Sequence, residues 1–407
     1  MNQKQLLDSY KKAGRSEADL TNEIKALTDA TRTVVIEGDK LTLYAHLSDG
    51  YGNGLMELPA INSEVQYGTF VPDESLRDET HGELGKLEND LWEESCLSGL
   101  FVGFDENGTA KLLPTTPTII KDLPLLGING PVTRQMNYYL VGLMANALKG
   151  KKVSLIIKTA DDGTEKIFSM RSVGYMSVPQ TEIYDFAKDL LCVQSTGELL
   201  CWDASHFLTE ATYQFPGETA VVTTKRGRRV EMTPHIRVGT SDTGDASIEF
   251  SLWWKSLLGA EFLAGGRDTA SRKHSGKWNA STKAAFEKDV QQLVSKLQLL
   301  PQKIASLDAI TVSNGDFCAV IDNLITDSKM RKESALGKAV CSAINNYTLN
   351  AIASFSEVSG ADIVLTMMEA LERVTTLSNL SELQKRILER CMAELPYCRI
   401  RGAVTAD

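Results

Sequence analysis

The sequence predicts an α+β protein, mixed and mostly antiparallel β in its N-terminal and central parts, with a helical C-terminal lobe. Short β-like runs begin at Thr33 and recur into the 270s, several of them separated by turn signals. From Ser281 the apolar spacing changes to a helical period that persists almost to the end. With 407 residues, 43% hydrophobic and 24% charged, the chain has an ordinary globular composition and room for two or three domains. The expected divisions are 1–150, an α+β region with an acidic segment; 151–279, a β-rich region with a basic hairpin; and 280–407, a helical region.

Residues 3–30 read as an amphipathic helix or pair of helices, with Leu6, Leu7, Tyr10, Leu20, Ile24 and Leu27 on the apolar side. Ser16 and Asp19 have the spacing of a cap between them. TVVIEG, KLTLYAHL and EVQYGTFV read as strands. The glycines of Asp49 to Gly54 predict a hairpin turn rather than a phosphate loop, because no Gly-Lys-Ser/Thr follows. SGLFVGF and AKLLPTT are further strands. After a proline-punctuated passage, Gln135 to Leu148 has helical period and closes on a basic, glycine-containing turn.

VSLIIKT and TEKIFSMRSV predict a hairpin across Asp161-Asp162-Gly163. QTEIYDFAKDLLCV follows as a helix, then ELLCWD and ETAVVTTKRG as strands. STKAAFEKDVQQLVSKLQLL reads as one amphipathic helix ended by Pro301, with more helices near 316–326, 328–350, 361–377 and 380–394.

Charge is distributed unevenly. The net charge is −10, yet residues 57–110 hold thirteen Asp/Glu against two Lys/Arg, while residues 221–303 hold fourteen basic against eight acidic side chains. Such a balance argues against coating duplex DNA by charge alone but permits a local basic groove. The seven cysteines include no CxxC pair, and the five histidines, at 46, 81, 206, 235 and 274, form no HxH or HExxH. No Walker A loop, GxSxG elbow or dinucleotide GxGxxG is present. Neither a cofactor nor catalysis is therefore expected. The alternative enzyme is a metal-dependent nuclease built from dispersed carboxylates. The first twenty residues lack the apolar core of a signal peptide, and no run reaches a membrane span, so the cytoplasm of a host cell is the expected location.

The stretch from Val221 to Trp278 combines positive charge, aromatic rings and glycine. Lys225, Arg226, Arg228 and Arg229 surround Gly227 at the tip of an expected hairpin, and Arg272, Lys273 and Lys277 lie in RKHSGKW. Arginine guanidinium groups grip phosphates bidentately, and aromatic faces stack on unpaired bases. Trp253, Trp254 and Trp278 are the stacking candidates, although two adjacent tryptophans cannot both face one side of a strand. Convergence of the two basic clusters is what one groove would require.

From Arg171-Ser-Val-Gly-Tyr-Met-Ser-Val-Pro179 through Ser241-Asp-Thr-Gly244 to Arg272-Lys-His-Ser-Gly276, the order of features resembles a phage- and plasmid-borne family catalogued as a domain of unknown function. The resemblance covers about 165–280, and Leu258-Gly-Ala-Glu261 departs from that family's Cys-Thr-Asn-Gly element. It implies a bacteriophage or mobile-element origin. The helix and hairpin sheet are also similar, in architecture alone, to single-strand annealing proteins.

The expectation is a non-enzymatic single-stranded DNA-binding protein acting in phage DNA replication or recombination, or as a transcription cofactor. Its expected partners are single-stranded DNA and a phage or host polymerase or other replication or transcription protein; oligomerisation stays open. The alternative is a protein-binding module that modulates a host enzyme through its acidic surface.

Overall fold

A computed structural model describes residues 1–48, 53–58, 69–72, 87–98, 100–105, 110–116, 148, 150–257 and 261–313, with 346, 350, 357–363, 365, 366 and 369. In chain order the elements begin with β1 (Lys11–Gly14), α1 (Glu17–Ala30), β2 (Thr31–Glu37), β3 (Leu41–Ser48), β4 (Asn53–Leu58) and β5 (Thr69–Pro72). Next come α2 (Asn89–Ser98), β6 (Leu100–Asp105), β7 (Ala110–Pro114), β8 (Lys152–Thr159), β9 (Glu165–Ser172) and α3 (Gln180–Ala187), which runs on as a π-helix over Lys188–Val193. Then follow β10 (Glu198–Ser205), β11 (Thr209–Gln214), β12 (Ala220–Thr223), β13 (Arg229–Thr240), β14 (Ile248–Leu257) and β15 (Glu261–Arg272). The last described elements are α4 (Ala280–Val294), α5 (Leu299–Leu307), β16 (Thr311–Ser313) and β17 (Glu357–Ser359).

The named strand pairings are all antiparallel, both in hairpins such as β8–β9 and between strands distant in sequence such as β1–β10 and β2–β8. A seven-stranded sheet runs β1-β10-β11-β13-β14-β15, with β12 added to β13. A three-stranded sheet, β2-β8-β9, and a five-stranded sheet, β5-β4-β3-β6-β7, complete the larger part of the β structure. The main core lies on the seven-stranded sheet and draws from all three expected divisions: Leu20, Ile24 and Leu27 of α1, Trp202, Phe250 and Trp254 of the sheet, Phe286 and Val290 of α4, and Val358, Ala361 and Ile363. A second core joins the two smaller sheets through Ile36, Val102, Leu155, Ile157 and Ile167.

Several expectations meet their reasons here. Ser16 caps α1, its side chain accepting from the Asp19 amide at 3.3 Å. The hairpin across residues 161–163 forms with Gly163 at φ +85°, and Ser48 pairs with Asn53 across the expected Asp49–Gly54 turn. Of the helix or pair of helices expected over 3–30, the second forms as α1 behind the Ser16 cap, while the first is a short 3-10 turn followed by a strand. Lys11 to Gly14 pair with β10, and an added Cβ at Gly14 would stand 2.7 Å from the Trp202 ring, so only glycine leaves room there for the indole. The helix expected over 281–300 ends at Val294, and Pro301 sits in the first turn of α5, where its missing N–H costs nothing. Most of 57–110 and the helices expected over 135–148, 316–326, 328–350, 361–377 and 380–394 lie wholly or largely outside the described residues. No described helix is long and apolar enough to cross a membrane.

Candidate functional site

Three segments of the chain meet at one end of the seven-stranded sheet. They are the end of β9 with the turn after it (171–176), the polar segment between β13 and β14 (241–246), and the segment after β15 (272–278). Register places them together. Ile248 pairs with Arg272 and Thr209 with Thr240, so the start of β14, the end of β15 and the end of β13 lie at the same end of the sheet. Tyr175 forms an isolated bridge with Ser275. The Met176 amide donates to the His274 carbonyl at 3.0 Å, and His274 Nδ1 returns a 3.0 Å bond to the Met176 carbonyl.

That last bond identifies Nδ1 as the protonated nitrogen and leaves Nε2 as an acceptor. Burial lowers the His274 pKa, so the neutral ring is favoured, and it stacks on Tyr175 with centroids 5.2 Å apart and planes at 21°. The Tyr175 hydroxyl donates to the Asp242 carbonyl at 3.1 Å, and Arg171 Nε donates to the Thr243 carbonyl at 2.8 Å. Arg171 also lies 3.7 Å from Asp245. Gly244 is required at the apex. Its φ is +80°, and a Cβ would come within 2.8 Å of Tyr175 and 2.9 Å of Arg171. Within the segment, Thr243 and Asp245 donate their amides to Ser241 Oγ at 3.2 Å each. The third segment ends in a firm anchor, because Asn279 caps α4 reciprocally with Thr282.

Beneath these segments lies a buried polar layer. Lys158 on β8 is 0% exposed, and its Nζ stands 3.7 Å from Asp242 Oδ2, beyond hydrogen-bond reach. Gln180, the first residue of α3, is also fully buried. Lys158 Nζ, both Gln180 amide atoms, Asp242 Oδ2 and His274 Nε2 have no hydrogen-bond partner among the described groups. Burial pulls the Lys158 pKa down against the attraction of Asp242, and pushes the Asp242 carboxyl up against the influence of Lys158 and Gln180.

The sequence-predicted residues divide sharply. Arg272, Lys273 and Lys277 lie at this end; Lys273 and Lys277 are exposed and Arg272 half-buried, and none pairs with a described carboxylate. Trp278 is half-buried beside Phe286, its ring 6.0 Å away and edge-on. Lys225, Arg226, Arg228 and Arg229 do form the tip of a hairpin, closed by Gly227 at φ +78°. That tip lies at the far end of β13, eleven residues from Thr240 and so about 36 Å from the other cluster. The two basic clusters do not line one groove. Arg226 reaches Asp362 at 3.8 Å and also bonds the Glu357 carbonyl, while Arg228 bonds Thr366 Oγ1 at 3.1 Å and the Glu369 carboxylate. The Lys225 amide donates to Asp308, although its side chain is exposed, as is Arg229.

Trp253 and Trp254 need correction as stacking candidates, because both are buried. Trp254 is 1% exposed and donates to the Leu297 carbonyl at 2.8 Å; Trp253 is 2% exposed, donates to Ser251 at 2.7 Å and lies under the Arg237 guanidinium at 4.7 Å. Neighbouring residues on a strand face opposite ways, and both faces of the sheet are covered here.

Sequence reasoning passed over Lys158, Arg171, Tyr175, Gln180 and Asp242 as site members. Lys158 carried a signal, since a charged residue closing the apolar run VSLII has no solvent face when the strand is covered on both sides. Among the described residues no group of three or more His, Cys, Asp or Glu is placed to hold a metal ion. No family model, no curated protein and no solved structure matches the chain.

Proposed function

We propose that the protein binds single-stranded DNA without catalysing a reaction, and that it does so at the three-segment end of the seven-stranded sheet. The supporting observation is the composition of the 272–278 segment. Along the chain, Arg272, Lys273 and Lys277 flank His274, whose ring stacks half-buried on Tyr175, and they are free of described carboxylates, so their charge is available to phosphates. Val173, 53% exposed just before Tyr175, adds apolar surface against which a base can rest. Stacking favours bases that are already unpaired, hence single strands over duplex. The role that follows is in phage DNA replication or recombination, or as a transcription cofactor that brings a polymerase to unwound DNA.

Fluorescence anisotropy with a 20-nucleotide single strand and its duplex, at two salt concentrations, tests this. The single strand should bind more tightly, with affinity falling steeply as salt rises. The triple variant R272E/K273E/K277E should bind at least ~10-fold more weakly, and R226A/R228A should change affinity by less than about threefold. Equal affinity of the triple variant and the parent would remove the site. Magnesium-dependent cleavage of the strand, abolished by chelator, would mark a nuclease instead.

A second reading, a protein-binding module, is favoured by a groove of about 540 Å³ between α3, its π-helical continuation and α4. Phe186 and Leu190 line it together with Glu182, Asp185, Asp189 and Glu287, and Lys283 contacts Glu182 at 3.0 Å. A stoichiometric protein recovered from host lysate, lost with D185K/D189K and accompanied by no oligonucleotide binding, would favour that reading.

A further inference from the structure

We infer that Lys158, Gln180 and Asp242 form a buried latch that holds the three segments of the binding end in register, with Lys158 as the positioning residue. The inference rests on the binding reading above for its effect on DNA, but the latch itself is a property of the fold.

The first argument is energetic. A fully buried ammonium facing a carboxylate at 3.7 Å, with no other described partner for its three N–H groups, is a poor way to stabilise a protein. Gln180 compounds the cost, because its buried amide, close enough to Asp242 to favour the carboxylate, completes no well-formed hydrogen bond at either end. Apolar side chains of similar volume would hold β8 against the seven-stranded sheet at least as well. An arrangement this costly is explained if it serves position rather than stability.

The second argument is connectivity. Asp242 meets a fully buried cation of the smaller sheet, Lys158, while Asp245 lies 3.7 Å from the partly buried Arg171 of the same sheet. The backbone carbonyl of Asp242 receives the Tyr175 hydroxyl, and the next carbonyl receives Arg171. The Tyr175 ring in turn carries His274, which is bonded to Met176 in both directions. Moving Asp242 therefore moves the Tyr175–His274 stack and, through the chain, Arg272, Lys273 and Lys277. Lys158 touches none of the surface residues and acts only through Asp242.

The third argument comes from the adjacent strand. Lys166, the cross-strand partner of Lys158, is equally buried yet bonds Asp8 at 2.9 Å, Glu94 at 2.7 Å and the Leu6 carbonyl at 3.3 Å. The same sheet thus satisfies a buried lysine completely where only structure is at stake.

Two variants, Lys158→Met and Lys158→Met/Asp242→Leu, test the latch by amide hydrogen exchange, thermal melting and oligonucleotide anisotropy. The expected result is a Tm within a few degrees of the parent or above it for the double variant, and a lower Tm for Lys158→Met, which leaves the Asp242 carboxyl buried without its cation. Exchange of amides in 241–246 and 272–276 should rise at least ~10-fold, and single-strand affinity should fall ~10-fold, with the salt dependence unchanged because the surface cations remain. If Lys158→Met does not fold, Gln180→Leu removes the neutral member and carries the same expectation. Folded variants with parental exchange at both segments would overturn the latch, whatever their affinity. Increased exchange in a protein whose parent form binds no oligonucleotide would leave the latch standing and overturn the binding reading.

Discussion

Lys158 and Lys166 pair across β8 and β9, both wholly buried, with their ammonium groups 5.5 and 5.3 Å from the centre of the Phe168 ring. Their surroundings differ in kind. Around Lys166 the N-terminal turn and α2 supply two carboxylates and a carbonyl, and Thr116 also bonds Asp8, so the cation and its counter-charges are complete. Around Lys158 there is one carboxylate, too far for a hydrogen bond, on a segment that leads to the surface. Equal burial therefore says little about role. What separates a tie between elements from a site component is how many partners the tertiary structure supplies, and what those partners are attached to.

The largest expected effect is at the complete site. Lys166→Met leaves Asp8 and Glu94 facing each other without their cation, and equilibrium denaturation should show a loss of about 3–5 kcal/mol. A loss below about 1 kcal/mol would erase the contrast with Lys158.

His206 senses both lysines and sharpens the comparison next. It is fully buried against Phe168, and burial together with Lys158 and Lys166 drives its pKa well below 6.5. The unfolded chain then binds a proton that the folded one excludes, so stability present above pH 6.5 is lost as pH falls from there toward the folded pKa. Within that window the slope from this residue is about 1.4 kcal/mol per pH unit, and urea titrations of His206→Phe should show the acid limb flattened by that amount.

A smaller effect is expected at the hairpin tip. Arg228→Ala removes bonds to Thr366 and Glu369 at a partly exposed position, and should cost about 1–2 kcal/mol in denaturant while leaving oligonucleotide affinity unchanged. Smallest of all, Lys273→Ala should weaken single-strand binding roughly two- to threefold and lower the salt slope by about one charge, with no change in Tm.

The hairpin tip and the 272–278 segment extend the same lesson. In sequence they are alike, two short basic clusters with glycine. One holds its arginines against Glu357, Asp362, Thr366 and Glu369, from more than a hundred residues downstream, and the other does not. No local pattern distinguishes a cation that staples the chain from one left to a ligand, because the partner is distant in sequence.

Much that is local was legible beforehand. The turns at Asp161–Gly163 and at Gly227, the Ser16 cap and the period that makes α4 all follow from residues within a turn or two of one another. The antiparallel character follows from them in part, because strands joined by a tight turn pair antiparallel, as β8 does with β9 and β12 with β13. Tertiary structure alone decided that Lys11–Gly14 would be a strand against Trp202 rather than a helix, and that Trp253 would be buried as deeply as Trp254. It also decided that the RKHSG segment would meet Tyr175 and Met176, and that Arg171 and Tyr175 would bond the carbonyls of Thr243 and Asp242. Those outcomes depend on which surfaces cover which, and on charges brought together from 70 to 140 residues apart, which no window of sequence contains.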